Sequence, residues 1–275
     1  MNCKLRLSCQ VSVWGDRMED AIRFVAGTGC PAVEIGGPHL MSYEHRLSEL
    51  QQLLTRYGTS VSGVYEFGHF ENWRGRRAIY THHERLGRLM KQASIPMAVL
   101  GPGIRYNRNR TPEERQKLLR MITEISARYE MHGVRAAIHP HWGHCIFDGE
   151  DIELVMNEGP AELGLVVDVV HTAEAGLDLY GLLERYGSRI LGIHVKDYQT
   201  IASPPPGRFQ RRTRYSPPGL GEGNIRGLKD FLRKIRYEGW VVLEADESGE
   251  EPEISISAAL NYWRESCLIG RGEGG

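Results

Sequence analysis

The order of apolar runs along the chain predicts a single (β/α)₈ barrel. Eight short apolar runs alternate from end to end with longer stretches of helical period, the pattern of a parallel sheet with crossover helices. The chain has 275 residues, close to the ~250 of one such barrel. Four consecutive late runs end in histidine or a carboxylate, at the ends of the strands where this architecture builds its active site. No internal repeat or linker divides the sequence, so residues 1–275 read as one domain.

The predicted strands are Leu5–Val11, Ala32–Ile35, Val61–Phe67, Met97–Leu100, Val134–His139, Leu163–Asp168, Ile190–Val195 and Trp240–Glu244. Between the fourth and fifth, Thr111 is placed to cap a helix, Pro112 suits its first position and Glu114 closes a capping box. Leu118, Ile122, Ile125 and Tyr129 form its apolar stripe, and Gly133 stops it. Before the last strand, Asn224 is the expected cap, Leu228, Phe231, Leu232 and Ile235 the buried stripe, and Gly239 the end. Ser203–Gly223, rich in Pro, Gly and Arg, reads as a long loop covering the mouth of the barrel.

With 41% hydrophobic and 25% charged residues and a formal net charge of −1, the composition is that of a soluble globular protein with material for a large core. The near-neutral balance gives no global attraction for phosphate backbones, so no nucleic-acid partner is expected. Cys3, Cys9, Cys30, Cys145 and Cys267 are scattered and show no CxxC spacing, which suggests reduced thiols and a cytoplasmic protein. No run approaches a membrane span or a signal peptide. A homo-oligomer is compatible with the sequence.

The late strands end in His139-Pro140-His141, in Asp168 followed by His171, in His194-Val195-Lys196-Asp197, and in Glu244. Neighbouring strand ends converge on the barrel axis, so His139, Asp168, His194 and Glu244 are candidates to surround one divalent cation. Imidazole with carboxylate suits Mn²⁺ or Co²⁺ first, with Zn²⁺, Fe²⁺ or Mg²⁺ as alternatives. Each residue also has an ordinary role: a hydrogen-bonded histidine, or a carboxylate that caps the next helix. Four of them on successive strands shift the balance, because such a cluster is costly to bury without a cation.

At these residues the chain resembles the xylose-isomerase-like barrel superfamily of sugar isomerases and epimerases, and within it the inosose dehydratases. The resemblance runs through Ala32-Val33-Glu34-Ile35-Gly36, Asp168-Val169-Val170-His171, His194-Val195-Lys196-Asp197, Gly219-Leu220-Gly221-Glu222-Gly223-Asn224 and Tyr237-Glu238-Gly239-Trp240-Val241-Val242-Leu243-Glu244. It implies that Asp168, His194 and Glu244 bind the metal, that His171 touches metal-bound water or substrate, and that Lys196 lines the pocket. Many isomerases and epimerases of this group end the fifth strand in Glu-Asn-His. Here the triplet is His139-Pro140-His141, and the inosose dehydratases are similar in having His-Pro-His or His-His-His. The departure removes one of the paired glutamate bases of the epimerases.

A small polyhydroxylated carbonyl compound is the expected substrate, since a cation at such a site assists proton abstraction beside a carbonyl. Glu244 is the expected base, with His141, His171 and Lys196 as candidates to donate a proton or orient hydroxyls. Elimination from a keto-sugar or keto-cyclitol is favoured over isomerisation or epimerisation of a sugar phosphate. Trp14, His69 and Arg208 are candidate substrate contacts, with packing or loop structure as their ordinary alternative. Arg208, Arg211, Arg212 and Arg214 are placed to hold an anionic substrate, though a charged loop is usually only solvated. Glu34 reads as a carboxylate supporting the ligands or capping the core. Two rivals remain: a nuclease similar to endonuclease IV, through Asp168-Val169-Val170-His171 and Glu244, and a non-catalytic sugar-binding barrel.

Overall fold

The computed structural model describes residues 5–105, 109–203, 210–245 and 248–265. Its strands are β1 (Arg6–Gln10), β2 (Ala32–Gly36), β3 (Ser60–Phe67), β4 (Met97–Gly101), β5 (Arg135–Ile138), β6 (Gly164–Asp168), β7 (Ile190–Val195), β8 (Asp197–Thr200), β9 (Thr213–Ser216) and β10 (Trp240–Leu243). Its helices are α1 (Met18–Gly27), α2 (Gly37–Ser42), α3 (Leu47–Tyr57), α4 (Arg76–Gln92), α5 (Pro112–Met131), α6 (Gly149–Glu158), α7 (Val169–Glu174), α8 (Leu179–Tyr186), α9 (Ile225–Lys234) and α10 (Pro252–Glu265). β1 to β7 and β10 close into a parallel barrel. These are the eight expected strands, each end displaced by one residue at most.

The strand period of two explains how this sheet makes a site. Ala137 and His139, Val166 and Asp168, Gly192 and His194, and Val242 and Glu244 each share a face. Met97, Val99, Ala137, Val166 and Leu191 pack together as an inner apolar layer. One step further along the strands the same inward face turns polar. A larger apolar layer, from Cys9 and Val33 to Leu228 and Trp263, joins the sheet to the helices and holds the strand ends rigid.

The Thr111 capping box on α5 is formed in full. Leu118, Ile122, Ile125 and Tyr129 are all buried, and Gly133, at φ 73°, takes the left-handed turn beyond the helix. α9 departs from expectation at its end. Asn224 accepts from the Gly227 N–H as a cap should, and Leu228 and Leu232 are buried, but Phe231 is half-buried and Ile235 is 39% exposed. Arg236, not Gly239, adopts the left-handed conformation, at φ 55°. Gly239 is needed for a different reason: a Cβ there would lie 2.2 Å from the Tyr237 hydroxyl.

The long loop expected over Ser203–Gly223 is also corrected. β9, inside that segment, pairs antiparallel with β8, just before it, from Asp197 opposite Ser216 to Thr200 opposite Thr213, while positions 204–209 of the expected loop lie outside the described residues. Glu174 anchors β9, accepting from the N–H groups of Arg212 and Thr213. The Asp197 carboxylate accepts from the N–H groups of Gly219, Gly221 and Gly223. A Cβ at Gly221 would lie 2.2 Å from that carboxylate, so the glycine motif is a cradle for Asp197.

Between α4 and α5, His83 Nδ1 lies 2.8 Å from the Tyr129 hydroxyl. Burial pushes its pKa down to about 3. The folded state therefore refuses a proton that the unfolded chain accepts below about pH 6.5. Stability from this group is complete above that pH and is lost progressively as pH falls toward 3. Between pH 6.5 and 5 the loss is about 2 kcal/mol. Urea unfolding at the two pH values checks this: His83→Gln should flatten the pH dependence by that amount, and an unchanged slope would contradict the assignment.

Candidate active site

Asp168 ends β6 and at the same time caps α7. Its Oδ1 accepts from the N–H groups of Val170 at 2.6 Å and His171 at 2.8 Å. Its Oδ2 is buried without a hydrogen-bond partner and lies 3.5 Å from Lys196 Nζ. The capping and site roles thus use different oxygens. On β7, His194 Nδ1 stands 3.0 Å from Glu244 Oε2, while its Nε2 lies 3.1 and 3.3 Å from the two oxygens of Glu34. Lys196 Nζ is 3.4 Å from Glu244 Oε2. All of these residues are buried.

Asp168, His194 and Glu244 each bring one ligand atom within 4.8 Å of the others. His139 does not complete that group as expected. It forms a second group of the same tightness with Asp168 and His171. His139 Nδ1 donates to the Val166 carbonyl at 3.0 Å, which leaves Nε2 for the site, and its ring lies 4.7 Å from that of His194 and 5.9 Å from that of His171. Asp168 is common to both groups.

Burial pushes the carboxyls of Asp168 and Glu244 up, but Lys196 beside them, with His194, outweighs it and holds both below their usual range. Burial lowers His194, yet Glu34 and Glu244 raise it well above an ordinary histidine. For His139 and His171, burial outweighs the nearby carboxylates and holds both well below an ordinary histidine. Three carboxyl groups, of Glu34, Asp168 and Glu244, therefore meet the Lys196 ammonium around three imidazoles, of His139, His171 and His194. The Asp168 Oδ2 and both ring nitrogens of His171 have no hydrogen-bond partner. Buried acceptors of this kind ask for a cation or a polar ligand, and this donor set fits a divalent transition metal.

His141 lies above the cluster, its ring 3.7 Å from that of His171 and stacked at 4.2 Å on His144. Its Nδ1 donates to the Trp142 carbonyl at 2.7 Å. His144 was not among the expected residues, because its placement depends on the loop after β5 doubling back. It lines a cavity of about 830 Å³ with Arg105, Trp142, Glu174 and Arg212. A second cavity, of about 680 Å³, opens at the opposite end of the barrel and has no histidine in its wall.

Other expected contacts fall elsewhere. Trp14 is buried against Phe24, with its Nε1–H donating to Glu253; it packs the core because the turn after β1 folds it under α10. His69 is exposed and meets the ring of Phe67, which in turn meets His144 beside His141. Arg208 lies outside the described residues. Arg211 rests 5.3 Å over the Trp142 ring and 3.7 Å from Glu174. Arg212 lines the cavity beside them, and Arg214 donates to Gln199 on the exposed side of the hairpin.

The sequence profile of the xylose isomerase-like TIM barrel family matches residues 22–266. The chain belongs to that family. Among its relatives, the rhizopine catabolism protein MocC of Rhizobium meliloti is 25% identical over 277 residues, covering 89% of this chain and 79% of MocC. The inosose dehydratase of Lactiplantibacillus plantarum is 28% identical over 156 residues, 53% of this chain and 51% of the dehydratase. The chain thus aligns with about half the length of that enzyme. Of solved structures, the probable 3-DHS dehydratase AsbF of Bacillus anthracis superposes with a TM-score of 0.79 at 15% identity, covering 94% of this chain and 98% of AsbF. The D-psicose 3-epimerase of Clostridium cellulolyticum gives 0.76 at 15% identity, covering 95% and 99%. At that identity the structures speak for the fold alone. No helix of this xylose isomerase-like barrel is long and apolar enough, among the described residues, to cross a membrane.

Proposed function

We propose that this member of the xylose isomerase-like family is a metal-dependent lyase. It removes the proton beside the carbonyl of a keto-sugar or keto-cyclitol and expels the β-hydroxyl as water. The observation that carries the reading is the buried group of Asp168, His194 and Glu244, with Asp168 Oδ2 left without a hydrogen bond. These three residues would hold the cation, with His139 and His171 beside them, and Mn²⁺ or Co²⁺ suits the set best. Bound there, a divalent ion supplies Lewis-acid polarisation of the substrate carbonyl.

Glu244 takes the proton. Its carboxylate is kept ionised by Lys196 and His194, so it stands ready to accept. Lys196 supplies the proton that leaves with the β-hydroxyl. It is a charged donor 3.4 Å from the base and, unlike His194, is not among the residues that would hold the cation, whereas His141 and His171 are lowered by burial and serve better to orient hydroxyls. Epimerisation needs a second base on the opposite face of the carbon. Asp168 is poorly suited, since one oxygen is committed to the N-terminus of α7. His139 has one nitrogen committed to Val166.

One observation favours the second reading, a sugar isomerase or epimerase: both nitrogens of His171 lack a partner, so this ring could carry a proton on another side of the substrate. A panel of inososes and ketoses, incubated with the metal-loaded protein in heavy water, separates the two. Elimination should give an unsaturated or diketone product absorbing in the near ultraviolet. Deuterium-labelled epimers or aldose–ketose pairs without loss of water would replace that reading by the second.

A further inference from the structure

Glu34 lies on β2, and its carboxylate reaches into the barrel to meet His194 on β7; β1 and β10 stand between the two strands in the sheet. The side chains are 0% and 1% exposed, and His194 Nε2 is 3.1 Å from the nearer Glu34 oxygen. A neutral imidazole has one N–H and one lone pair, and the partner of one nitrogen decides the state of the other. Nδ1 faces Glu244 Oε2 at 3.0 Å, on the side of the residue with which His194 and Asp168 form one buried group. Two acidic groups thus compete for the ring protons, one on each side.

We infer that Glu34 is the positioning residue of the metal site: its carboxylate keeps a proton on Nε2 of His194, so that the Nδ1 proton, directed at Glu244, is the one a bound cation would displace. This rests on the reading of Asp168, His194 and Glu244 as cation ligands. Without Glu34, the Nδ1 proton is the one retained, because donating it to Glu244 becomes the only strong hydrogen bond the ring makes. A cation would then have to shift that proton to an Nε2 that no longer has a carboxylate to accept from it. Carboxylates behind a ligating histidine also raise its basicity, and their loss typically costs 10- to 100-fold, roughly, in metal affinity.

The inference is tested by titrating metal-free protein with Zn²⁺ against a chelating indicator. Glu34→Ala should bind zinc about 10- to 100-fold more weakly than wild type. Glu34→Gln keeps an acceptor oxygen at the same reach, so it should recover most of that loss. Wild type that binds no zinc overturns the ligand reading itself. Wild type and Glu34→Ala binding equally leaves the ligands standing and overturns the role of Glu34. If Glu34→Ala does not fold, long-range ¹H–¹⁵N spectra of zinc-loaded wild type decide: a proton on Nε2 of His194 with metal on Nδ1 supports the inference, and the reverse overturns it.

Discussion

Asp168→Ala should strip the bound cation and lower turnover by about 10³-fold or more, while the barrel stays folded. Asp168 is the residue common to both buried ligand groups, so its loss removes a donor from each and leaves Lys196 facing Glu244 alone. The fold should survive because the barrel rests on the apolar layers beneath and around the strands. Residues at the carboxyl-end face serve function more than stability. Alanine also removes the cap on α7, where Oδ1 accepts two N–H groups, at a cost of about 1 kcal/mol. Asp168→Asn separates the two effects, since asparagine caps as well as aspartate but carries no charge. It should melt near wild type and still bind little metal. Elemental analysis, circular dichroism and turnover on the same preparations check this. Full metal content in Asp168→Asn would remove this carboxylate from the ligand set.

How far this site could be read in the sequence follows from the geometry of strands. Asp168, His194 and Glu244 end or follow parallel strands, and their convergence is fixed once the barrel is recognised. Ring rotation has no such signature. The hydrogen bond that takes one nitrogen of His139, to the Val166 carbonyl on the next strand, leaves no mark in the sequence. Glu34 reads in the sequence as a carboxylate supporting the ligands or capping the core, but its partner lies 160 positions away. The hairpin of β8 and β9 was hidden because each strand has only four residues, too few for a period of two to stand out, whereas the capping box of α5 was legible residue by residue. The end of α9 misled because glycine is the usual left-handed residue, and Arg236 takes that conformation here while Gly239 makes room for Tyr237.

Lys196→Met should destabilise the metal-free protein far more than the metal-loaded one. Lys196 Nζ stands 3.5 Å from Asp168 Oδ2 and 3.4 Å from Glu244 Oε2, and it is buried with them. Methionine fills similar space without charge, so two buried carboxylates then face only His194 as a counter-charge. Removing one partner of a buried ionic group costs about 3–5 kcal/mol. A divalent ion restores the balance, so added Mn²⁺ should recover most of the lost stability in thermal melts. Chemistry should not recover with it. With Lys196 as the acid for the departing hydroxyl, elimination should fall by about 10²- to 10⁴-fold, while Glu244 still removes and returns the proton beside the carbonyl. In heavy water the recovered substrate should therefore gain deuterium without yielding the dehydrated product. Loss of exchange and elimination together, with metal retained, would show that Lys196 supports the base instead. An unchanged elimination rate would pass the acid role to His141 or His171, the two rings that overhang the cluster within 3.7 Å of each other.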